Sequence, residues 1–168
     1  MHDLSTIDVV VAAPGKDGKG TFIEISPPAR HVVPGAVEAV FFWGSPDIPA
    51  LPHKIGEVPA DVGFPLPGGT KFGLICFPAN SAGKLDVSRG YDVTADVDPS
   101  DRGMHRSDTI DYEVIISGKV DIVLDSGEVR TLGPGSCLVM GGVMHAWRNH
   151  YDQPCIYAAI TVGATPPA

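Results

Sequence analysis

The sequence has little positive charge, few cysteines and no long apolar run. It contains 12 lysines and arginines against 20 aspartates and glutamates, a formal net charge of −8. It has no basic stretch, so a nucleic-acid-binding surface is not expected. No apolar run reaches the roughly 18–20 residues that a helix needs to cross a bilayer. The first 14 residues include Asp3 and Asp8 but no lysine or arginine, and they therefore lack the charged start of a secretion signal.

The three cysteines, Cys76, Cys137 and Cys155, are far apart and form no Cys-x-x-Cys pair. This argues against a structural zinc finger and a disulfide framework. Because Cys76 and Cys137 lie inside apolar runs, we expect buried free thiols and a reducing cytoplasm as the location. The sequence also lacks a glycine-rich phosphate loop and a Gly-x-Ser-x-Gly elbow, which argues against nucleotide binding and serine hydrolysis.

The chain is instead rich in glycine and proline, with 20 and 16 of its 168 residues. Short apolar runs, ended by Gly, Pro or Asp, predict strands and not helices. Their spacing predicts an antiparallel sandwich or barrel in a single domain. The predicted strands cover residues 6–12, 21–26, 38–43, 71–77, 111–116, 119–125, 128–132, 136–140, 145–149 and 154–162.

Two of the connections between the predicted strands are long. Residues 44–70 carry six prolines and predict an ordered surface wrap. Residues 78–103 are polar, and a loop of this length is either a functional lid or disordered. At Ser117-Gly118 the sequence predicts a hairpin turn between two strands.

One stretch of the chain combines histidine with carboxylate residues near tight turns. His105 begins it, and Asp111 and Glu113 follow within eight residues. The spacing resembles the first motif of the cupin superfamily, Gly-x5-His-x-His-x3/4-Glu-x6-Gly. His105 takes the first histidine position, Ser107 stands where the second histidine is expected, and Asp111 takes the glutamate position, separated from Gly118 by six residues.

A second stretch resembles the other cupin motif, Gly-x5-Pro-x-Gly-x2-His-x3-Asn. Gly142 is followed after two residues by His145, and Asn149 follows after three more. The motif's proline is missing, and the spacing from Gly135 is one residue short. The resemblance to cupins covers roughly residues 72–162.

The resemblance implies an all-β fold, a cupin-type antiparallel β-barrel (double-stranded β-helix, or jelly roll) with extra N-terminal strands. Residues 1–70 would supply those strands and the Pro-rich wrap within the same domain. Residues 71–163 would form the barrel core, and residues 164–168 a tail.

The resemblance also implies one divalent metal ion, held by His105, Asp111 and His145. Such a set leaves coordination positions for water, substrate or O₂ and suits Fe, Mn, Ni or Zn, with Fe favoured. In a strand, Asp111 and Glu113 point to the same side, and two carboxylates inside an apolar barrel are costly unless a cation is present. Glu113 is therefore a catalytic base, an additional ligand or the true carboxylate ligand. Ser107 could bind a metal-bound water.

The variant motifs resemble small single-domain cupins linked to aromatic or polyketide metabolism. We expect a metal-dependent enzyme for a small organic substrate, first of all an oxidoreductase of the dioxygenase type with Glu113 as catalytic acid–base. A non-redox isomerase, dehydratase or decarboxylase is the close alternative, and a non-catalytic ligand-binding barrel is the other. The expected substrate pocket contains Ser107, Phe72, Leu74, Val139, Trp147 and Tyr157.

The expected macromolecular partner is a second copy of the chain. The resemblance implies homodimers that exchange or pair N-terminal strands. Residues 6–12 and 21–26 are apolar enough to require a partner surface. No nucleic acid and no membrane is expected as a partner.

Overall fold

The computed structural model describes residues 4, 8–51, 54–88 and 95–165. Within these residues the regular structure consists of thirteen β-strands and contains no α-helix. Accordingly, the described part of the chain offers no helix of the length and apolarity needed to cross a membrane. The strands are short, and the glycine- and proline-rich segments that separate them are typical of all-β architectures.

The strands are numbered here in chain order. They are β1 (Val11–Pro14), β2 (Gly20–Ile23), β3 (Arg30–Val33), β4 (Val37–Ser45), β5 (Thr70–Phe77), β6 (Ala95–Val97), β7 (His105–Ser107), β8 (Thr109–Ser117), β9 (Val120–Leu124), β10 (Val129–Leu132), β11 (Cys137–Gly141), β12 (His145–Arg148) and β13 (Cys155–Gly163).

Two antiparallel sheets form the body of the molecule. One has the strand order β10-β9-β12-β7-β6, and the other has the order β11-β8-β13-β5-β4-β3. The main apolar core draws on both sheets, with Ile122 and Trp147 from the five-stranded sheet and Ile115 and Tyr157 from the six-stranded one, so it lies between them. This arrangement confirms the predicted jelly-roll barrel of the cupin type. Strands β1 and β2 pair with each other in a separate two-stranded sheet.

The turn at Ser117-Gly118 differs from the prediction. Strand β8 pairs with β11 and β13, whereas β9 pairs with β10 and β12, so the turn leads from one sheet to the other and does not close a hairpin. Gly118 has a φ of 74°, and a Cβ there would lie 2.1 Å from the carbonyl oxygen of Pro154. Only glycine fits this corner without moving the backbone of the facing segment.

Several strand bounds also differ from the predicted ones. Strand β1 begins later than the predicted 6–12, and β2 ends earlier than the predicted 21–26; residues 6 and 7 lie outside the described residues. Strands β3, β6 and β7 were not predicted, since each has only three or four residues and depends on a neighbour for its hydrogen bonds. Strands β3 and β4, from the predicted N-terminal segment, belong to the same sheet as β5.

The cysteines are free thiols, as predicted, but their burial is not uniform. Cys76 and Cys155 are buried, whereas Cys137 is exposed. The prediction for Cys137 is wrong because the apolar run 136–140 forms a strand that alternates between the interior and the surface, and Cys137 points outward.

Candidate functional site

A cavity lies between the two sheets of the barrel, and its wall combines titratable side chains with an aromatic surface. The titratable side chains include the four predicted to carry the chemistry: His105, Asp111, Glu113 and His145. Strands β7 and β12 of one sheet and β8 of the other supply them.

His105 and His145 are brought together by strand register. They are direct partners across the β7–β12 pair, and their ring centroids are 4.4 Å apart. The Nδ1–H of His105 donates to the carbonyl oxygen of Gly103 at 3.1 Å, and that of His145 donates to the carbonyl oxygen of Val143 at 2.9 Å. A carbonyl oxygen only accepts, so both rings carry their proton on Nδ1 and leave the Nε2 lone pair for a ligand.

Both imidazoles are kept uncharged by their surroundings. Burial, with a further contribution from the neighbouring His145, lowers the pKa of His105 to about 4. Burial also lowers the pKa of His145. A neutral imidazole is the form that binds a metal ion, so the pair is in the ligating state at neutral pH.

Asp111 is held in place by hydroxyl groups. The Thr109 hydroxyl donates to Asp111 Oδ2 at 2.9 Å, and a hydrogen bond of 2.7 Å joins the hydroxyls of Ser107 and Thr109. Because Thr109 donates to the carboxylate, Ser107 donates to Thr109, which gives a chain of hydroxyls ending at Asp111. Burial raises the pKa of Asp111, while hydrogen bonds from Thr109 and Thr161 act in the opposite direction.

Glu113 lies two residues further along the same buried side of β8. Its Oε2 atom is buried and has no hydrogen-bond partner among the described residues. Burial raises the pKa of Glu113 well above its usual value, and the charge of Asp111 adds to this effect. A buried carboxyl oxygen without a partner is unfavourable, and a bound cation or a donor on a substrate would satisfy it.

The donor atoms suit a divalent metal ion, but they do not converge on one point. Over residues 4, 8–51, 54–88 and 95–165, no three His, Cys, Asp or Glu side chains form a group that could hold a metal ion. Two imidazole nitrogens and a carboxylate oxygen are nevertheless a ligand set that iron and related ions accept, and Glu113 provides an unsatisfied oxygen at the same cavity. The predicted set of His105, Asp111 and His145 stays a prediction, of which the structure brings the two histidines together.

No protein-family model matches the chain, but short segments match curated proteins. Phomopsin biosynthesis cluster protein C′ of Diaporthe leptostromiformis is 52% identical over 46 residues, which cover 27% of this chain and 24% of that protein. The cupin-domain-containing oxidoreductase srdB of Neurospora crassa is 40% identical over 50 residues, covering 30% and 26%. The chain thus spans about a quarter of the length of the curated relatives it matches. The matched segment of this chain is thus similar to proteins named as cupin-domain-containing oxidoreductases.

Among solved structures, an RmlC-like cupin from Shewanella frigidimarina covers 84% of this chain and 92% of its own, at 10% identity and a TM-score of 0.48. KdgF from a Halomonas species covers 79% of this chain and 84% of its own, at 12% identity and a TM-score of 0.47.

The cavity has an aromatic wall that includes two of the predicted pocket residues. Trp147 and Tyr157 line it, with ring centroids 4.8 Å apart and planes 20° from parallel. Phe77 stacks against Tyr157 at 5.9 Å. Ser107, also predicted for the pocket, is buried but takes part in the hydroxyl chain to Asp111 and not in the cavity lining.

The prediction is wrong for the other three pocket residues, which do not line the cavity. Phe72 and Val139 are 40% and 65% exposed on the outer side of the six-stranded sheet, and Leu74 packs against a second cluster away from the cavity. The reason is the alternation of strand side chains: on β5 the cavity receives Lys71 and Ile75. The apolar residues between them point the other way.

Sequence reasoning missed Lys71 and the segment it anchors. The Lys71 ammonium group is buried, forms a salt bridge with Asp61 and donates to the Gly63 carbonyl oxygen at 2.6 Å. Its hydrogen bond to Asp61 is the main reason that the pKa of this carboxyl is lowered. The anchored segment brings the Phe64 ring to 6.2 Å from the His105 ring, so it forms part of the cavity wall. The sequence signal for this role is one charged residue, Lys71, in the otherwise apolar predicted strand 71–77.

Proposed function

We propose that this chain is a cupin and a metal-dependent enzyme that acts on a small organic molecule bound between its two sheets. The observation that carries the proposal is the histidine pair: His105 and His145 lie side by side at the cavity, uncharged, with each Nδ1–H tied to a backbone carbonyl. Metal-binding histidines in proteins commonly show this arrangement, because the hydrogen bond fixes the tautomer and the direction of the ring.

His105 and His145 would hold the metal ion through nitrogen, and Asp111 would supply the oxygen ligand. Two features favour Asp111 over Glu113 for this role. The charge of Asp111 acts on His105, and its carboxylate receives hydrogen bonds from Thr109 and Thr161, as ligating carboxylates usually do. When bound, an ion such as Fe, Mn, Ni or Zn would supply a Lewis-acid or redox centre.

Glu113 would exchange a proton with the substrate. It lines the same cavity, and its Oε2 has no hydrogen-bond partner within the described part of the chain, so a polar group of the substrate is the partner that the cavity can provide. A positioned carboxyl group within hydrogen-bond reach of the reacting atom is what general acid–base catalysis requires.

The cavity favours a substrate with a planar or branched apolar part. Trp147, Tyr157 and Phe77 present stacked rings to it, and such a wall binds flat molecules by contact over their whole face. The curated relatives named as oxidoreductases favour redox chemistry as the reaction type. A proton-transfer reaction, such as isomerisation or dehydration, is the second candidate and is favoured by the available carboxyl group of Glu113.

Metal content tests the ligand assignment. Protein purified without chelators should contain stoichiometric metal, and His145→Ala should lose most of it. His150→Ala, which changes the exposed histidine five residues away, is the matched control and should keep the metal. Unchanged metal content in His145→Ala would reject the assignment. Failure of the unaltered protein to take up Fe, Mn, Ni or Zn would leave a non-catalytic ligand-binding barrel.

Two further measurements separate the reaction types and the roles of the carboxylates. Oxygen uptake with candidate aromatic substrates supports the oxidoreductase, whereas turnover with Zn and no oxygen uptake would replace it by an isomerase or lyase. Glu113→Gln should keep the metal and lose turnover, and Asp111→Asn should lose the metal. The reverse pattern would exchange the two roles.

A further inference from the structure

One irregular segment of the chain, residues 58–66, forms part of the cavity wall and is called the strap here. It precedes β5 and contains no strand. Phe64 and Pro65 of the strap line the cavity. The same two residues also line two further hollows, one beside Gly44 and the other beside Thr109. Side chains that border more than one hollow lack some of the packing contacts that hold a core residue in place.

Backbone hydrogen bonds fasten the chain on either side of the strap. Before it, Glu57 and Gly44 exchange two such bonds, of 2.7 and 2.9 Å. After it, the amide of Gly68 donates to the carbonyl oxygen of Gly163, the last residue of β13, at 3.1 Å. A Cβ on Gly163 would lie 1.9 Å from the Leu66 carbonyl oxygen, so the end of the strap rests directly on β13. Both ends are therefore fixed to the barrel.

Lys71 of β5 fastens the middle of the strap. Its ammonium group donates to the carbonyl oxygens of Asp61 at 3.2 Å and Gly63 at 2.6 Å, and it forms a salt bridge with the Asp61 carboxylate. These bonds occupy the three donors of an ammonium group. The Lys71 side chain is 10% exposed and that of Asp61 is 69% exposed. The turn at residues 61–63 is thus tied to the barrel from the inside.

The turn that Lys71 holds is next to Phe64, whose ring lies 6.2 Å from the ring of His105. Strand register places Lys71 itself at the cavity. Lys71 is the partner of Thr161, and Thr161 is the partner of Asp111, so the three form one row across β5, β13 and β8, and all three line the cavity. Release of the turn would therefore free the wall beside the histidine pair.

The histidine pair needs such an opening. His105 and His145 are only 7% and 5% exposed, so a ligand reaches them through a part of the wall that can move. Among the described residues, the lining that lies outside strands consists of strap residues together with Leu85 and Val87. Leu85 and Val87 are buried in the main core, whereas Phe64 is only partly buried against it. The strap is thus the part of the wall with the least packing.

We infer that the strap is the gate of the cavity and that Lys71 is the positioning residue that holds it closed. A segment fixed at both ends and tied at its middle by polar bonds can open without unfolding the sheets beside it. Opening moves Phe64 away from His105 and admits a small molecule to the aromatic wall. The inference goes beyond the proposed function, because it applies equally to the substrate of an enzyme and to the ligand of a non-catalytic barrel.

Quenching of Trp147 fluorescence by acrylamide measures access to the cavity. Trp147 lines the cavity and is 4% exposed. The chain has two tryptophans, so a Trp43→Phe background leaves Trp147 as the only indole emitter. In that background Lys71→Met, which removes the ammonium group, should raise the quenching constant about threefold, because the strap opens more often. Asp61→Asn changes only the exposed end of the salt bridge and should give a smaller increase.

Hydrogen exchange distinguishes an open gate from a generally weakened fold. In Lys71→Met the amides of residues 58–66 should exchange faster, while those of β13 keep their protection. Lys54→Met is the matched control, since it breaks an exposed salt bridge with Asp47, and both measurements should stay unchanged. Unchanged quenching in a folded Lys71→Met would overturn the inference, and so would loss of protection in β13 together with the strap. If Lys71→Met does not fold, Asp61→Asn decides, and unchanged quenching there would overturn it.

Discussion

The two faces of strand β8 have the reverse of the usual polarity. Its buried face holds polar side chains next to the cavity, and its exposed face holds apolar ones, so that Thr109, Asp111 and Glu113 point inward while Ile110, Tyr112, Val114 and Ile116 point outward. A strand that covers a core ordinarily has the opposite distribution. Both faces are costly in an isolated chain, one through desolvation of carboxyl groups and the other through exposure of apolar surface.

One part of the inner face of β8 departs from the usual pattern and needs an explanation by function. The inner face returns to the ordinary pattern at Ile115, which is only 2% exposed and belongs to the main core. The polar residues are therefore confined to the end of the strand that borders His105 and His145. Departures from consistent patterning concentrate at functional sites; here a ligand in the cavity would satisfy the polar groups of the inner face.

Ile115 and Ile116 test this difference between the two faces most directly, because they are adjacent residues of the same type on opposite faces. Ile115→Ala should lower the free energy of unfolding by about 3 kcal/mol, as expected for a cavity in a packed core. Ile116→Ala should change it by no more than about 0.5 kcal/mol, because Ile116 is 51% exposed. Urea denaturation measures both. Equal losses would show that the outer face is covered within a single chain.

Glu113 tests the inner face with a smaller expected effect. Glu113→Met replaces a buried carboxyl group, whose Oε2 lacks a hydrogen-bond partner among the described residues, by an apolar side chain of similar length. In protein freed of metal by chelation, the variant should be more stable by about 2 kcal/mol. Tyr112→Met, on the opposite face of the strand, is the control and should have a much smaller effect. A destabilised Glu113→Met would mean that the carboxyl group has a structural partner.

The fold and the histidine pair could be predicted from local features of the sequence. Apolar runs ended by Gly, Pro or Asp are sufficient to indicate short strands. The spacing that resembles the two cupin motifs predicted the importance of His105 and His145, and the β7–β12 register makes them neighbours. A turn sequence such as Ser117-Gly118, however, does not tell whether the chain folds back beside itself or crosses to another sheet, since that depends on long-range pairing.

The direction of side chains could not be predicted in the same way. Alternation divides a strand into two faces, but it does not tell which face is inside. Placing the apolar residues inside is the natural choice, and it was wrong for Phe72, Leu74 and Val139 because the face toward the cavity is partly polar. The role of Lys71 depends on a segment ten residues earlier in the chain, a contact for which the sequence has no local signature.

The cysteines extend the comparison of the two faces to a measurement that leaves stability unchanged. Cys137 is exposed on the outward side of β11, whereas Cys155 is fully buried in the main core. The thiolate is the species that reacts, and burial raises the pKa of Cys155 from 9.0 to about 12. Burial also raises the pKa of Cys76. In the native protein a thiol reagent should therefore label one cysteine rapidly and two slowly, and all three in denaturant.

Cys137→Ser should remove the rapid phase and identifies its origin. Rapid labelling that persists in Cys137→Ser, or three equal labelling rates in the native protein, would contradict the outward position of Cys137 on β11.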